Sequence, residues 1–100
     1  MLASLEVPLR ARGRMRGLRG RDDFEGALML RHCRQVHTFG MRFPVDVAFC
    51  DRSGLVLRVD TLPVRRVSRP VWSATFVVEA RAGAFERWKL LPGDQLEVRE

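Results

Sequence analysis

The sequence predicts a mainly β protein: a small antiparallel barrel or sandwich of about six or seven strands, with one or two short helices. Three observations carry that expectation. Short apolar, β-branched runs recur at roughly regular spacing along the 100 residues, as in all-β folds. The middle of the chain reads as strand, tight turn and strand. Glycines and prolines interrupt almost every stretch long enough for a helix.

Leu5–Leu9 is the first expected strand. Arg10–Arg21 contains Gly13, Gly17 and Gly20, so any helix there is short. Ala27–Arg31 is a compact apolar run after Gly26 and reads as a buried strand. His32–Phe43 is a loop with a short strand near His37–Phe39. Val45–Cys50 alternates, placing Val45, Val47 and Phe49 on a core face and Asp46, Ala48 and Cys50 on a less apolar one. Asp51-Arg52-Ser53-Gly54 is a hairpin turn in which glycine supplies the positive φ. Leu55–Asp60 returns as the partner strand, with Leu55, Leu57 and Val59 expected inward. Leu62–Trp72 has two prolines and three arginines and reads as a surface connection. Ala74–Ala80 is a further strand and Ala84–Leu90 a short helix. Pro92-Gly93-Asp94 is a turn, and Gln95–Val98 a last strand.

A chain of 100 residues is expected to form a single domain, residues 1–100. No apolar stretch is long enough to cross a bilayer, and the N-terminus lacks the basic start and apolar centre of a signal peptide. We expect a cytoplasmic protein with Cys33 and Cys50 reduced. The formal net charge is +6, carried by 17 arginines against one lysine. Residues 1–21 hold six arginines and one acid, which accounts for +5 of it.

From about Arg16 to Val98 the sequence resembles the domain of unknown function 192 family. Arg16-Gly17-Leu18 followed by Arg21, Gly26-Ala27-Leu28-Met29, Pro44-Val45-Asp46-Val47-Ala48-Phe49, Glu79-Ala80 with Ala82-Gly83, and Gly93-Asp94 match the family's motifs in order. His37 and Thr38 stand where many members have tryptophan and methionine, and Arg19 where a methionine is common. The resemblance implies a mainly β fold. It implies no reaction, cofactor or partner.

Candidate sites follow from residue chemistry. His32, Cys33, His37 and Cys50 are the soft metal ligands, but no CxxC or HxxxH spacing joins them. We expect no metal, no cofactor and no catalytic residue. Cys33, His37 and Asp46 have the chemical types of a thiol nucleophile, a base and an orienting acid, and a small thiol or acid–base enzyme built on them is one alternative. Asp46 and Glu79, the acids shared with the family, are expected to hold structure or face a ligand. Arg10, Arg12, Arg14 and Arg16 alternate and would form one basic edge in an extended segment. RNA or another polyanion could bind there. The leading expectation is an uncharacterised, non-catalytic binding or accessory module with no membrane insertion. Its candidate contact residues are His37, Thr38, Arg42, Asp46 and Glu79, around the loop that leads to Pro44.

Overall fold

The computed structural model of the chain describes residues 2–6 and 27–99, with side chains from 27 to 96. In chain order the elements are β1 (Leu2–Glu6), β2 (Ala27–Arg31), β3 (Val45–Cys50), β4 (Val56–Leu62), β5 (Phe76–Arg81), α1 (Ala84–Trp88) and β6 (Gln95–Arg99). The mainly β expectation holds. The arginine-rich segment 10–21, with Arg10, Arg12, Arg14 and Arg16, lies outside the described residues.

Four strands form an antiparallel sheet in the order β2-β5-β3-β4. β3 is central and pairs on both sides, with Ala48 opposite Val59 of β4 and Val78 of β5. β1 and β6 form a separate two-stranded pair, and that pair is parallel. An all-antiparallel arrangement was the expectation, and this pair departs from it. β1 also begins earlier than Leu5, and β5 starts at Phe76 rather than Ala74.

Both faces of the four-stranded sheet are covered. All six residues of β3 are therefore buried, not only Val45, Val47 and Phe49. On the face of Ala48 and Asp46 lie α1, through buried Ala84 and Phe85, and Leu90 beyond it. On the face of Phe49, Val77 and Glu79 lie two long connections, residues 32–44 and 63–75. Arg58 places its guanidinium 4.8 Å from the Phe49 ring centre and also donates to the Arg69 carbonyl at 2.7 Å. Arg81 stands 5.0 Å from the Phe43 ring.

These connections run side by side as an irregular antiparallel ribbon. Cys33 N–H donates to the Thr75 carbonyl, Val71 N–H to Arg34, Ser68 N–H to Val36 and Thr38 N–H to Arg66. His37 and Val67 form an isolated bridge between them. Extended loops across a core must satisfy their buried backbone groups, and pairing with each other achieves this.

The β3–β4 hairpin turns at Asp51–Gly54. Asp51 Oδ1 accepts the N–H of Ser53 at 2.8 Å and of Leu55 at 3.0 Å. Gly54 has φ +95°. The partner strand then departs from the expected alternation. Cys50 pairs with Val56, but Phe49 pairs with Arg58, leaving Leu57 as a bulge. One extra residue reverses the phase of a strand. Val56 becomes the buried residue, Leu55, Leu57 and Val59 are half-buried, and Val59 joins the Ala48 face.

Candidate functional site

Asp46 and Glu79 occupy adjacent strands, yet they face opposite ways. Glu79 is the cross-strand partner of Val47, and Asp46 that of Ala80. Side chains alternate along a strand, so the two carboxyls lie on opposite sides of the sheet and share no cleft.

Asp46 is 3 % exposed. Its Oδ1 accepts the Thr61 hydroxyl at 2.6 Å. Its Oδ2 accepts the N–H of Gly83 at 2.9 Å and of Phe85 at 3.1 Å. The helix α1 begins after Gly83, which has no side chain to cap it. Asp46 supplies that cap from another strand, satisfying N–H groups that the first helical turn leaves open. It also forms part of the wall of an apolar cleft of about 710 Å³ between α1 and β4, together with Val59, Phe85 and Leu90.

Glu79 is 1 % exposed, beside Leu28 on one strand and Val47 on the other. Its Oε2 has no hydrogen-bond partner among the described residues. Burial pushes its carboxyl up to about 7, because a charge without partners is costly in an apolar setting.

Thr38 is fully buried and joins the two halves of the ribbon. Its hydroxyl donates to the Pro63 carbonyl at 2.6 Å and accepts the Arg66 N–H at 2.8 Å. His37 is half-buried, and its Nδ1 accepts the Phe39 N–H at 3.2 Å. The Cys33 thiol donates to the Gln35 carbonyl at 3.2 Å. Asp46 sits under α1 while His37 belongs to the ribbon over the other face, so the structure does not bring Cys33, His37 and Asp46 together. Cys33 and Cys50 form no disulfide among the described residues. Cys50 is fully buried, and burial, then the charge of Asp51, pushes its thiol up to about 12.

The outer side of the ribbon has a different chemistry. Arg34, Arg42, Arg65, Arg66 and Arg69 of the two connections are exposed. Three of the four large exposed hydrophobic residues among the described residues belong to the same connections: Phe39 at 48 %, Val67, and Trp72 at 75 %. The bridge between His37 and Val67 puts both on one side. The Phe39 ring lies 5.5 Å from the His37 ring. Trp72 and Arg34 wall a trough of about 380 Å³ that includes His32, Cys33 and Pro70. Around His32, which holds a left-handed φ of 55°, the surface continues into a hollow of about 370 Å³ lined by Arg31, Arg52, Ser53 and Thr75.

Among the described residues, five acids have other roles. Asp46 and Glu79 are inside the fold. Asp94 closes the turn before β6 by accepting the Leu91 N–H at 2.9 Å, Asp51 holds the hairpin, and Asp60 pairs with Arg58 at 2.9 Å. The sequence of the domain of unknown function 192, described as an uncharacterised ACR, matches residues 2–98. The chain belongs to this family. Neither a curated protein nor a solved structure matches it.

For this family member, sequence reasoning singled out the acids and the loop to Pro44. It passed over Arg34, Arg65, Arg66, Arg69 and Phe39, and it expected Trp72 to pack in the core or against the helix, whereas Trp72 is 75 % exposed. A signal was present: there is no acid from Gly26 to Val45 and none from Thr61 to Val78. What it lacked was the knowledge that these two stretches lie side by side. Among the described residues no group of three metal-ligating side chains converges, and no helix is long and apolar enough to cross a membrane.

Proposed function

We propose that this domain is a non-catalytic binding module of the cytoplasm, and that it engages an anionic partner on the outer side of the ribbon. One observation carries the reading: two acid-free segments lie against each other and leave Arg34, Arg65, Arg66 and Arg69 exposed along them. Guanidinium groups suit phosphate and carboxylate partners because their planar donors can bind two oxygens at once. A basic surface also raises the local concentration of anions. Of the sequence candidates, His37 and Arg42 belong to this contact surface. Thr38 braces it by tying the ribbon together, while Asp46 and Glu79 serve the fold beneath.

The arginines of the N-terminal segment are the second possible anion site, and the test separates them. Binding to inorganic polyphosphate is measured across a salt series for the parent, for a variant with Arg34, Arg65, Arg66 and Arg69 replaced by alanine, and for one with Arg10, Arg12, Arg14 and Arg16 replaced. For a flexible polyanion each phosphate contact adds roughly 0.7 to the slope of log K against log salt. The ribbon variant should lose affinity and about 3 of that slope, with an unchanged melting temperature. Loss confined to the N-terminal variant moves the site there. Absence of binding by the parent at low salt removes the reading.

A further inference from the structure

The ribbon is more than basic. Its exposed aromatic rings stand among the arginines, and Trp72 is three-quarters exposed. Fully solvated tryptophan is uncommon because the ring has a large apolar area to hide. Here it is held at the mouth of the trough that Arg34 and His32 share with it. The segment from Cys33 to Thr38 pairs irregularly with residues 66–75, and Phe39 lies in the turn that follows it. Trp72 flanks its first half, near Arg34, and Phe39 lies at its far end. Arg65, Val67 and Arg69 run antiparallel along it.

Resting on the anionic-partner reading, we infer that the partner is single-stranded nucleic acid, with phosphates on Arg34, Arg65, Arg66 and Arg69 and bases stacked on Trp72 and Phe39. A basic track with interleaved aromatic rings is the arrangement that such a strand fits, since every base has a stacking face and every linkage a charge. A duplex fits less well, because its base faces are already stacked and inaccessible to Trp72. The Leu30, Cys33 and Pro70 walls of the trough give one base an apolar floor, and Gln35 stands at its rim. Gln35 is itself anchored by donating to the Ser68 carbonyl at 2.9 Å. The two proposed functions of the surface are separable: the arginines supply affinity that salt weakens, and the rings supply preference for unpaired bases.

The experiment compares four probes on the whole chain: a labelled oligouridylate, a labelled RNA duplex, inorganic polyphosphate and vesicles containing phosphatidylserine. The parent should bind oligouridylate more tightly than the duplex. Trp72→Ala, on an exposed side chain, should keep the parent's melting temperature. It should weaken oligouridylate binding by roughly 5- to 150-fold, the range set by one lost base–aromatic stack, and leave polyphosphate binding within about twofold. In a Trp88→Phe background, where Trp72 is the sole tryptophan, oligouridylate should quench the fluorescence and polyphosphate should not. Polyphosphate binding with no effect of Trp72→Ala on oligouridylate overturns this inference and leaves the anionic-partner reading standing. Vesicle binding without oligouridylate binding overturns it in favour of an anionic membrane surface. No binding to any probe at low salt overturns both.

Discussion

The carboxylate of Asp46 caps the helix that contains Phe85, accepting its N–H at 3.1 Å across 39 residues of sequence. This contact joins the central strand to the short helix. A five-residue helix has too few internal hydrogen bonds to stand alone. The cap, with the burial of Ala84 and Phe85, holds it on the sheet.

Asp46→Ala should therefore destabilise the fold. It leaves the Gly83 and Phe85 N–H groups and the Thr61 hydroxyl without their acceptor. The expected loss is on the order of 1–3 kcal/mol. Thr61→Val removes only the hydroxyl contact and should cost less, about 1 kcal/mol. Urea unfolding of the three proteins measures both. Equal midpoints for the parent and Asp46→Ala would show that the cap contributes nothing.

Glu79 gives a pH dependence of defined sign. Its carboxyl ionises near 4.5 in the unfolded chain and near 7 in the fold. Between those values the unfolded chain releases a proton that the folded one keeps. As far as this group is concerned, stability is greatest below about 4.5, falls as pH rises towards 7, and is level above. The full fall is on the order of 3 kcal/mol at about 1.4 kcal/mol per pH unit. Glu79→Gln carries no charge to bury. It should melt higher than the parent at pH about 8 and close to the parent at pH about 5. A constant difference between the two proteins across that range contradicts the assignment.

Two glycines with nearly the same φ should respond unequally to substitution. Gly54 has φ +95° and Gly93 φ +93°. A side chain at Gly93 meets nothing within 4 Å, whereas at Gly54 it runs into the Leu96 carbonyl. Gly93→Ala then suffers only the left-handed backbone penalty of about 1 kcal/mol. Gly54→Ala should cost clearly more, and Gly54→Val more again, because it also pulls the hairpin away from β6. Thermal melts of the three variants rank them, and similar losses at both glycines would rule out the steric account.

The two thiols should differ in reactivity. Cys50 is sealed in the sheet with its thiol pushed up to about 12, while Cys33 is half-buried beside the trough. Thiolate is the reactive form. Iodoacetamide at neutral pH should modify Cys33 alone in the folded protein and both residues after denaturation. Early labelling of Cys50, read by peptide mass, would mean that the β3–β5 sheet opens readily.

The sequence by itself determined what depends on near neighbours. The turn at Asp51–Gly54 was legible because its hydrogen bonds link residues two to four apart. The strands β2 and β3 were legible because apolar runs of that length have few other ways to bury themselves. The short helix was legible to within two residues, and ends where Lys89 turns left-handed. Pairing and covering were decided only in three dimensions. The bulge at Leu57 depends on which residue of β3 each residue of β4 meets, and it reversed the expected inward set. The burial of both faces of β3 depends on α1 on one side and the ribbon on the other, so alternation could not be read as one wet face. Asp46 and Glu79 were both picked out as acids of note. Only the register of β3 and β5 put one under α1 with three donors from α1 and β4, and the other in an apolar core with an oxygen unpartnered among the described residues. The ribbon is the clearest case. Its arginines and aromatic rings are visible in the sequence, but Thr38 and Arg66 are 28 residues apart. Nothing local brings them together; the sheet beneath does, by requiring that its exposed apolar face be covered.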